Sequence, residues 1–185
     1  MTLFEYLSIA YSLLFSFAAL RLVAGLPHAI DVSRRYYVHL IYVCITIFAT
    51  AALFWTHWSA HDLEWTFPLF LLNLVGPGVV YYLSCTLVPD QPSSVRSWQD
   101  YFFSVRRKYF GGLCIWALVM VTNSTVILRT PAVHPVRLVQ LGVLALGIAG
   151  LASDRPSVHR MILIWAALLV GLAILVLLRP GPLAA

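Results

Sequence analysis

The 185-residue sequence has few charged side chains: Asp, Glu, Lys and Arg together make up 10% of it, while 61% of its residues are hydrophobic. A soluble domain usually contains ~25% charged and ~45–50% apolar residues, so this chain has too little polar surface to cover a water-soluble fold. The composition excludes a soluble enzyme and an intrinsically disordered chain. Because one helical crossing takes ~20 residues, we expect a single all-helical membrane domain over residues 1–185, with about six spans.

Cysteine is also scarce, and recognisable catalytic motifs are absent. The sequence has three cysteines, Cys44, Cys85 and Cys114, each in an apolar segment and without CxxC spacing. This pattern excludes a secreted disulfide scaffold and favours cysteines that act as small apolar side chains. No phosphate-binding glycine loop, nucleophile elbow or HExxH motif is present. The sequence therefore favours a protein without enzymatic activity and leaves that question open.

Stretches without charge locate the predicted spans. The predicted spans are residues 3–25, 37–57, 66–88, 109–128, 135–152 and 159–178. The first and fifth reach spanning length only if Arg21 and Arg137 extend their head groups to the membrane interface. The amino terminus has no basic region, so we expect its apolar segment to be a retained helix rather than a cleaved signal peptide.

The basic residues predict the orientation. Nine of the twelve Lys and Arg residues lie in the connections after spans one, three and five or at the helix ends that border them. The others are Arg129, Arg137 and Arg179. Basic residues in short loops stay cytoplasmic, so both termini are predicted to be non-cytoplasmic. This topology accounts for the net charge of +5 without a nucleic-acid partner.

The segment from Ser97 to Phe110 mixes aromatic and basic residues. That composition predicts a short interfacial helix before the fourth span, which anchors the chain to the surface of the lipid bilayer. The alternative is a docking site for anionic lipid or a partner protein. Its candidate residues are Trp98, Arg106, Arg107 and Lys108.

No charged residue lies near the centre of any predicted span, so an intramembrane site has to use uncharged groups. In span one, Ser8, Ser12 and Ser16 share one helical face, with Glu5 at its outer end. This face is either a close-packing surface of small residues or one wall of a polar pathway.

Span three has a polar stripe of its own, formed by Asn73, Pro77 and Tyr81 at intervals of four residues. Pro77 stands between two glycines, which predicts a kink or break in this helix. A kink serves helix packing, whereas a broken helix can build a ligand site from freed carbonyl groups.

Three carboxamide side chains, those of Asn73, Asn123 and Gln140, fall at one predicted depth. At ~1.5 Å per residue, each is roughly 8–10 Å from the outer boundary. They either hydrogen-bond to one another as structural contacts or line an outer vestibule.

Histidines mark both predicted surfaces. His57, His61 and His134 lie on the outer side, and the spacing of the first two would suit a Zn or Cu site if a third ligand joined them. Ordinary interfacial histidines are the alternative. On the cytoplasmic side, His39 and His159 open spans two and six, which leaves a bridging haem as a further alternative. We predict no cofactor from these patterns alone.

A resemblance rests on three features of the first half of the chain. The sequence opens with LFEYLSIAYSLLFSFAALRLVAGL, places Trp55 and Trp58 near the end of span two, and ends span three with Tyr82 to Pro89 and Asp90. In these features it resembles small uncharacterised bacterial inner-membrane proteins. The resemblance implies a multi-span protein of the bacterial inner membrane and carries no mechanism.

The leading functional hypothesis is a permeation or ligand pathway, channel-like or transporter-like, lined by uncharged polar residues. Many small contact residues favour close helix association, so we expect a homo-oligomer. The alternatives are a non-catalytic subunit or scaffold of a larger membrane complex, and a redox subunit that binds metal or haem.

Overall fold

The computed structural model describes residues 2–178, which form helices and short connections without a strand. There are two short 3-10 helices, Trp58–Ala60 and Pro92–Ser94. The α-helices are α1 (Leu3–Ala29), α2 (Tyr37–His57), α3 (Phe67–Leu87), α4 (Trp98–Val126), α5 (Val136–Ala152) and α6 (Pro156–Leu177).

Local chemistry sets several helix starts. Thr2 caps α1, where its hydroxyl accepts a hydrogen bond from the Glu5 N–H at 3.2 Å and the Glu5 carboxylate accepts one from the Thr2 N–H at 2.8 Å. This reciprocal pair satisfies two N–H groups that the helix leaves unbonded. Pro68 and Pro156 lie in the first turns of α3 and α6, where a missing N–H is tolerated.

Five helices, α1, α2, α3, α4 and α6, are long and apolar enough to cross a membrane; α5 is apolar but has 17 residues. The prediction of an all-helical protein with several helices long and apolar enough to span a membrane is confirmed. The basic residue Arg179, which we placed on the outer side, lies outside the described residues.

The helices form a ring. Each helix contacts the next one in the chain, and α6 returns to contact α2. Helices α2 to α6 therefore close a ring, and α1 packs on its outside against α2 and α3.

The two ends of the ring are marked by histidines. At one end, which we call the His57 end, the beginning of α1 meets the end of α2 through a 3.0 Å contact between Ser8 and His57. At the other, the His39 end, the His39 ring bonds the Leu87 carbonyl at 2.9 Å.

A buried aromatic core closes the ring at the His39 end. Trp98, Phe102 and Phe110 are fully buried. Phe102 stacks on Tyr42 of α2, and Phe110 stacks on His159 of α6 at a centroid distance of 5.4 Å. The aromatic side chains therefore join α2, α4 and α6 at this end.

The segment before span four does not form a separate interfacial helix. Residues 98–126 are one helix, capped by Ser97, whose hydroxyl accepts from the Asp100 N–H. The prediction is wrong because Trp98 turns into the protein, where its indole N–H donates to the His28 carbonyl at 2.7 Å. The aromatic content thus reflects packing against neighbouring helices.

Helix α3 runs through Pro77 without interruption, so a break is wrong and the alternative, a kink at Pro77, stays a prediction. A proline removes a single N–H from the helix ladder. Helix α3 is held by its neighbours, since it packs against α1, α2 and α4.

Candidate functional site

A cavity of about 230 Å³ lies inside the ring, mainly between α2, α4, α5 and α6, and Tyr11 of α1 and Asn73 and Gly76 of α3 complete its lining. Most of its walls are apolar and come from residues such as Leu113, Val143 and Ala166. On α4 the lining runs from Tyr109 to Ser124, which is roughly 22 Å of helix. The cavity is therefore long and apolar, and it reaches from the aromatic core to the His57 end.

The three predicted carboxamides meet at the His57 end of this cavity. Asn73, Asn123 and Gln140 come from α3, α4 and α5, and all three line it together with His57. The three side chains that were predicted to lie at one depth in the membrane thus lie together at the polar end of the cavity.

His57 is held by contacts from three directions. Its side chain is buried, and its ring stacks on Tyr11 at a centroid distance of 3.7 Å and on Phe4 at 5.0 Å. Nε2 lies 3.0 Å from the Ser8 hydroxyl, and Nδ1 lies 3.4 Å from the Asn73 amide nitrogen. The ring therefore has a fixed orientation at the wall of the cavity.

A second polar group surrounds Gln140. Its amide nitrogen donates to the Ser124 hydroxyl at 2.9 Å, and its amide oxygen accepts from Arg137 at 3.1 Å. Arg137 also donates to the Thr130 carbonyl at 2.8 Å. Our sequence-based reasoning missed Arg137 and Thr130 as members of this site, although the i, i+3 spacing of Arg137 and Gln140 puts both on one helical face.

Several buried polar atoms on cavity-lining residues have no hydrogen-bond partner among the described residues. They are Oδ1 of Asn123, Oγ1 of Thr130, the hydroxyl of Tyr42 and Nε1 of Trp116. A buried polar atom without a partner costs ~1–3 kcal/mol, so a bound molecule or water that supplied partners would stabilise this site.

The other predicted pathway residues do not line the cavity. Ser8 contacts His57, Ser12 donates to its own backbone at Ser8 O, Ser16 is exposed and Glu5 serves the cap of α1. Helix α1 packs on the outside of the ring, and of its side chains Tyr11 reaches the cavity lining whereas these serines and Glu5 do not. Pro77 and Tyr81 of α3 also lie outside the cavity lining.

The predicted docking residues divide into two pairs. Arg107 and Lys108 are exposed, and their docking role stays a prediction. For Trp98 and Arg106 the prediction is wrong, because their side chains are 0% and 2% exposed. Arg106 instead donates to the carbonyls of Gly150 at 2.7 Å and Ser153 at 2.5 Å.

The outer histidines do not form a metal cluster in residues 2–178, where no group of three His, Cys, Asp or Glu side chains comes together. His61 stacks on Trp58 and pairs with Asp62 at 2.9 Å. Nδ1 of His134 accepts from the Val136 N–H at 3.2 Å. Each of these histidines therefore has protein partners of its own.

The same holds for His39 and His159. The His39 ring stacks on Trp98 at 4.6 Å, and Nε2 of His159 lies 2.9 Å from the Ser153 carbonyl oxygen. Both rings are thus packed against protein groups at the His39 end.

Comparison with protein-family models, curated proteins and solved structures found no match to this chain.

Proposed function

We propose that this chain is a membrane protein that binds a small amphipathic molecule in the cavity inside its ring, and so provides a ligand pathway through part of the bilayer. The observation that carries the proposal is the long apolar cavity with most of its hydrogen-bonding side chains at the His57 end. An apolar cavity of ~150 Å³ is already large enough to bind benzene. The cavity of about 230 Å³ can therefore hold a larger apolar group.

The lining favours an amphipathic molecule over a stream of water or ions. Among the described residues, no Asp, Glu, Lys or Arg lines the cavity. Ligand sites of this kind combine apolar walls with a few polar groups that fix the orientation of the ligand. A molecule with an apolar chain and a polar head matches both parts.

We further propose six spans, with both termini on the non-cytoplasmic side of a bacterial inner membrane. The ends of the helices support the alternation of sides, since the contacts at His57 and His39 place successive connections at opposite ends. The orientation rests on the basic residues and the membrane on the sequence resemblance. Helix α5, with 17 residues, covers roughly 25 Å and would require local thinning of the bilayer.

A binding measurement tests the proposal. The protein is purified into lipid nanodiscs and titrated with dodecanol that carries a terminal bromine, because bromine quenches nearby tryptophan fluorescence. Trp116 lines the cavity, and a Trp116→Phe variant identifies its share of the signal. We expect saturable quenching that depends on Trp116.

Two neighbouring alanines of α6 give matched variants. Ala166 is buried and lines the cavity, whereas Ala167 is exposed and is not part of the cavity lining. Ala166→Phe should abolish saturable quenching, and Ala167→Phe should leave it unchanged. Equal binding by a folded Ala166→Phe variant would refute the proposal.

Release of the same probe from liposomes then tests a transport role. Faster transbilayer movement with the wild type than with Ala166→Phe supports a pathway. If no probe binds and unrelated membrane proteins co-purify in stoichiometric amounts, the scaffold hypothesis is favoured instead. The mass of the purified assembly tests the predicted homo-oligomer.

A further inference from the structure

We infer that the amphipathic ligand is a single-chain lipid anion whose acidic head is bound by Arg137 at the His57 end of the cavity. The inference rests on the proposed function, because it names the class of molecule that the cavity holds. It starts from the surroundings of the Arg137 side chain, which is half-buried.

Every hydrogen-bond acceptor of Arg137 among the described residues is uncharged. Nη1 donates to the Ser124 hydroxyl at 2.6 Å, to Gln140 Oε1 at 3.1 Å and to the Val121 carbonyl at 3.4 Å. Nη2 donates to the Thr130 carbonyl at 2.8 Å. Nε makes no hydrogen bond within residues 2–178. These contacts hold the guanidinium in place but leave its positive charge without a counter-ion.

Other buried or half-buried arginines of this chain do have a carboxylate partner. Arg21 pairs with Asp90, and Arg106 pairs with Asp154. Arg137 forms no such pair in the described part of the chain. A guanidinium removed from water favours an anionic partner, and its planar set of donors suits a carboxylate or phosphate.

The beginning of α5 adds to this preference. Arg137 is the second residue of α5, so its side chain lies beside the helix N-terminus. The first N–H groups of α5 already bond to His134 and Pro135, but the helix dipole still makes this end favourable for negative charge. Two independent features thus provide positive potential at one place.

The guanidinium group of Arg137 lies next to the apolar cavity. Ser124, Thr130 and Gln140, which bond to Arg137, all line the cavity. From there the lining continues along α4 to Tyr109, roughly 22 Å away. An extended hydrocarbon chain therefore fits the space that begins at the Arg137 head-group site. The unbonded Oγ1 of Thr130 offers a further hydrogen bond to the head.

The test compares two probes of equal chain length with the Trp116 quenching assay: dodecanoate and dodecanol, each with a terminal bromine. We expect the wild type to bind the carboxylate about tenfold more tightly than the alcohol, as one charge-assisted hydrogen bond would provide. Arg137→Gln should bind both probes with equal affinity, close to the wild-type affinity for the alcohol. Arg129→Gln removes an exposed charge at the same end and should keep the preference.

The outcomes separate this inference from the proposed function. If the wild type binds the alcohol as tightly as the carboxylate, the anionic head is refuted while the cavity remains a binding site. That comparison needs no variant, so it stands even if Arg137→Gln does not fold. If neither probe binds, or if Ala166→Phe leaves the binding of both unchanged, the proposed function fails as well. Displacement of dodecanoate by an equal concentration of acetate would show a site for small anions and overturn the lipid assignment.

Discussion

Nε2 of His57 lies 3.0 Å from the hydroxyl oxygen of Ser8, so the end of α2 is joined to the first turns of α1. The other ring nitrogen faces the Asn73 amide of α3 at 3.4 Å. A neutral ring with its proton on Nε2 satisfies both contacts, because it donates to Ser8 and accepts from Asn73. One imidazole thereby connects α1, α2 and α3 at the wall of the cavity.

Ser8→Ala should lower the free energy of unfolding by about 1–3 kcal/mol, because it leaves a buried ring nitrogen without its partner. Unfolding by sodium dodecyl sulfate in mixed micelles measures the difference. The matched control is Ser16→Ala, which changes an exposed serine on the same helix and should have an effect below about 0.5 kcal/mol. Equal stability of the two variants would show that the Ser8 contact contributes nothing.

Gly150 of α5 packs directly against the Phe110 ring of α4. A Cβ atom at this position would lie 2.2 Å from Cδ1 and 2.4 Å from Cε1 of the Phe110 ring. Phe110 is fully buried in the aromatic core and cannot turn away. Gly150→Ala should therefore destabilise the protein by about 1–3 kcal/mol through overpacking.

The control for this variant is Gly111→Ala in α4, where a Cβ atom would meet nothing within 4 Å. Alanine is a better helix former than glycine, so this variant should raise the free energy of unfolding by about 0.5–1 kcal/mol. The two glycine substitutions are thus predicted to change the free energy of unfolding in opposite directions in the same assay. A neutral or stabilising Gly150→Ala would mean that α4 and α5 are less closely packed than the structure shows.

The helices were predictable because the signal that defines them is local. A long apolar stretch without charge forms a helix in lipid, whose backbone groups must bond within the segment. The arrangement of the helices is not local. The serine face of α1 is a clear pattern, but only the packing of α1 outside the ring decides that Ser16 faces away from the cavity.

The candidate site was predictable in part for the same reason. Depth along a helix can be counted, so Asn73, Asn123 and Gln140 were expected at one level. Whether they face each other depends on the rotation of three helices. The segment with Trp98 and Arg106 shows the limit most clearly: a surface helix and a buried helix end have similar compositions, and the partners of Arg106 lie more than forty residues away at Gly150 and Ser153.

Arg106 is expected to stabilise the end of α5. It donates to the carbonyl oxygens of Gly150 and Ser153 and pairs with Asp154. Because the last carbonyls of a helix have no partner within the helix, this arginine supplies donors that α5 lacks. Arg106→Gln should lower the free energy of unfolding by about 1.5–3 kcal/mol, which is the contribution of a hydrogen bond to a charged group.

The neighbouring Arg107 is exposed and gives the control. Arg107→Gln removes the same charge and should change the free energy of unfolding by less than about 0.5 kcal/mol. Hydrogen exchange locates the effect, since the amides of the last turn of α5 should exchange faster in Arg106→Gln only. Similar exchange in both variants would assign the effect to net charge rather than to the helix end.

The connection between α1 and α2 should make stability depend on acidity. Asp31 accepts hydrogen bonds from the Ser33 hydroxyl at 2.7 Å and backbone N–H at 3.1 Å, and it pairs with Arg34 at 2.9 Å. The Ser33 hydrogen bonds, followed by the contact with Arg34, hold the pKa of Asp31 below its usual value. The folded protein therefore binds this proton more weakly than the unfolded chain does. It follows that the stabilisation is fully present above the unfolded pKa of ~3.9 and is lost as the pH falls through the lower folded pKa.

Asp31→Asn tests this dependence through melting temperatures measured from neutral pH down to acidic pH. At neutral pH the wild type should melt at a higher temperature than Asp31→Asn, and the gap should close as Asp31 becomes protonated. Ser33→Ala removes the largest cause of the shift, so it should reduce the gap at neutral pH while leaving the pair with Arg34. A gap that stays constant down to acidic pH would show that the Asp31 carboxylate does not stabilise the fold through its charge, because only a group whose pKa differs between the folded and unfolded states can make stability change with pH.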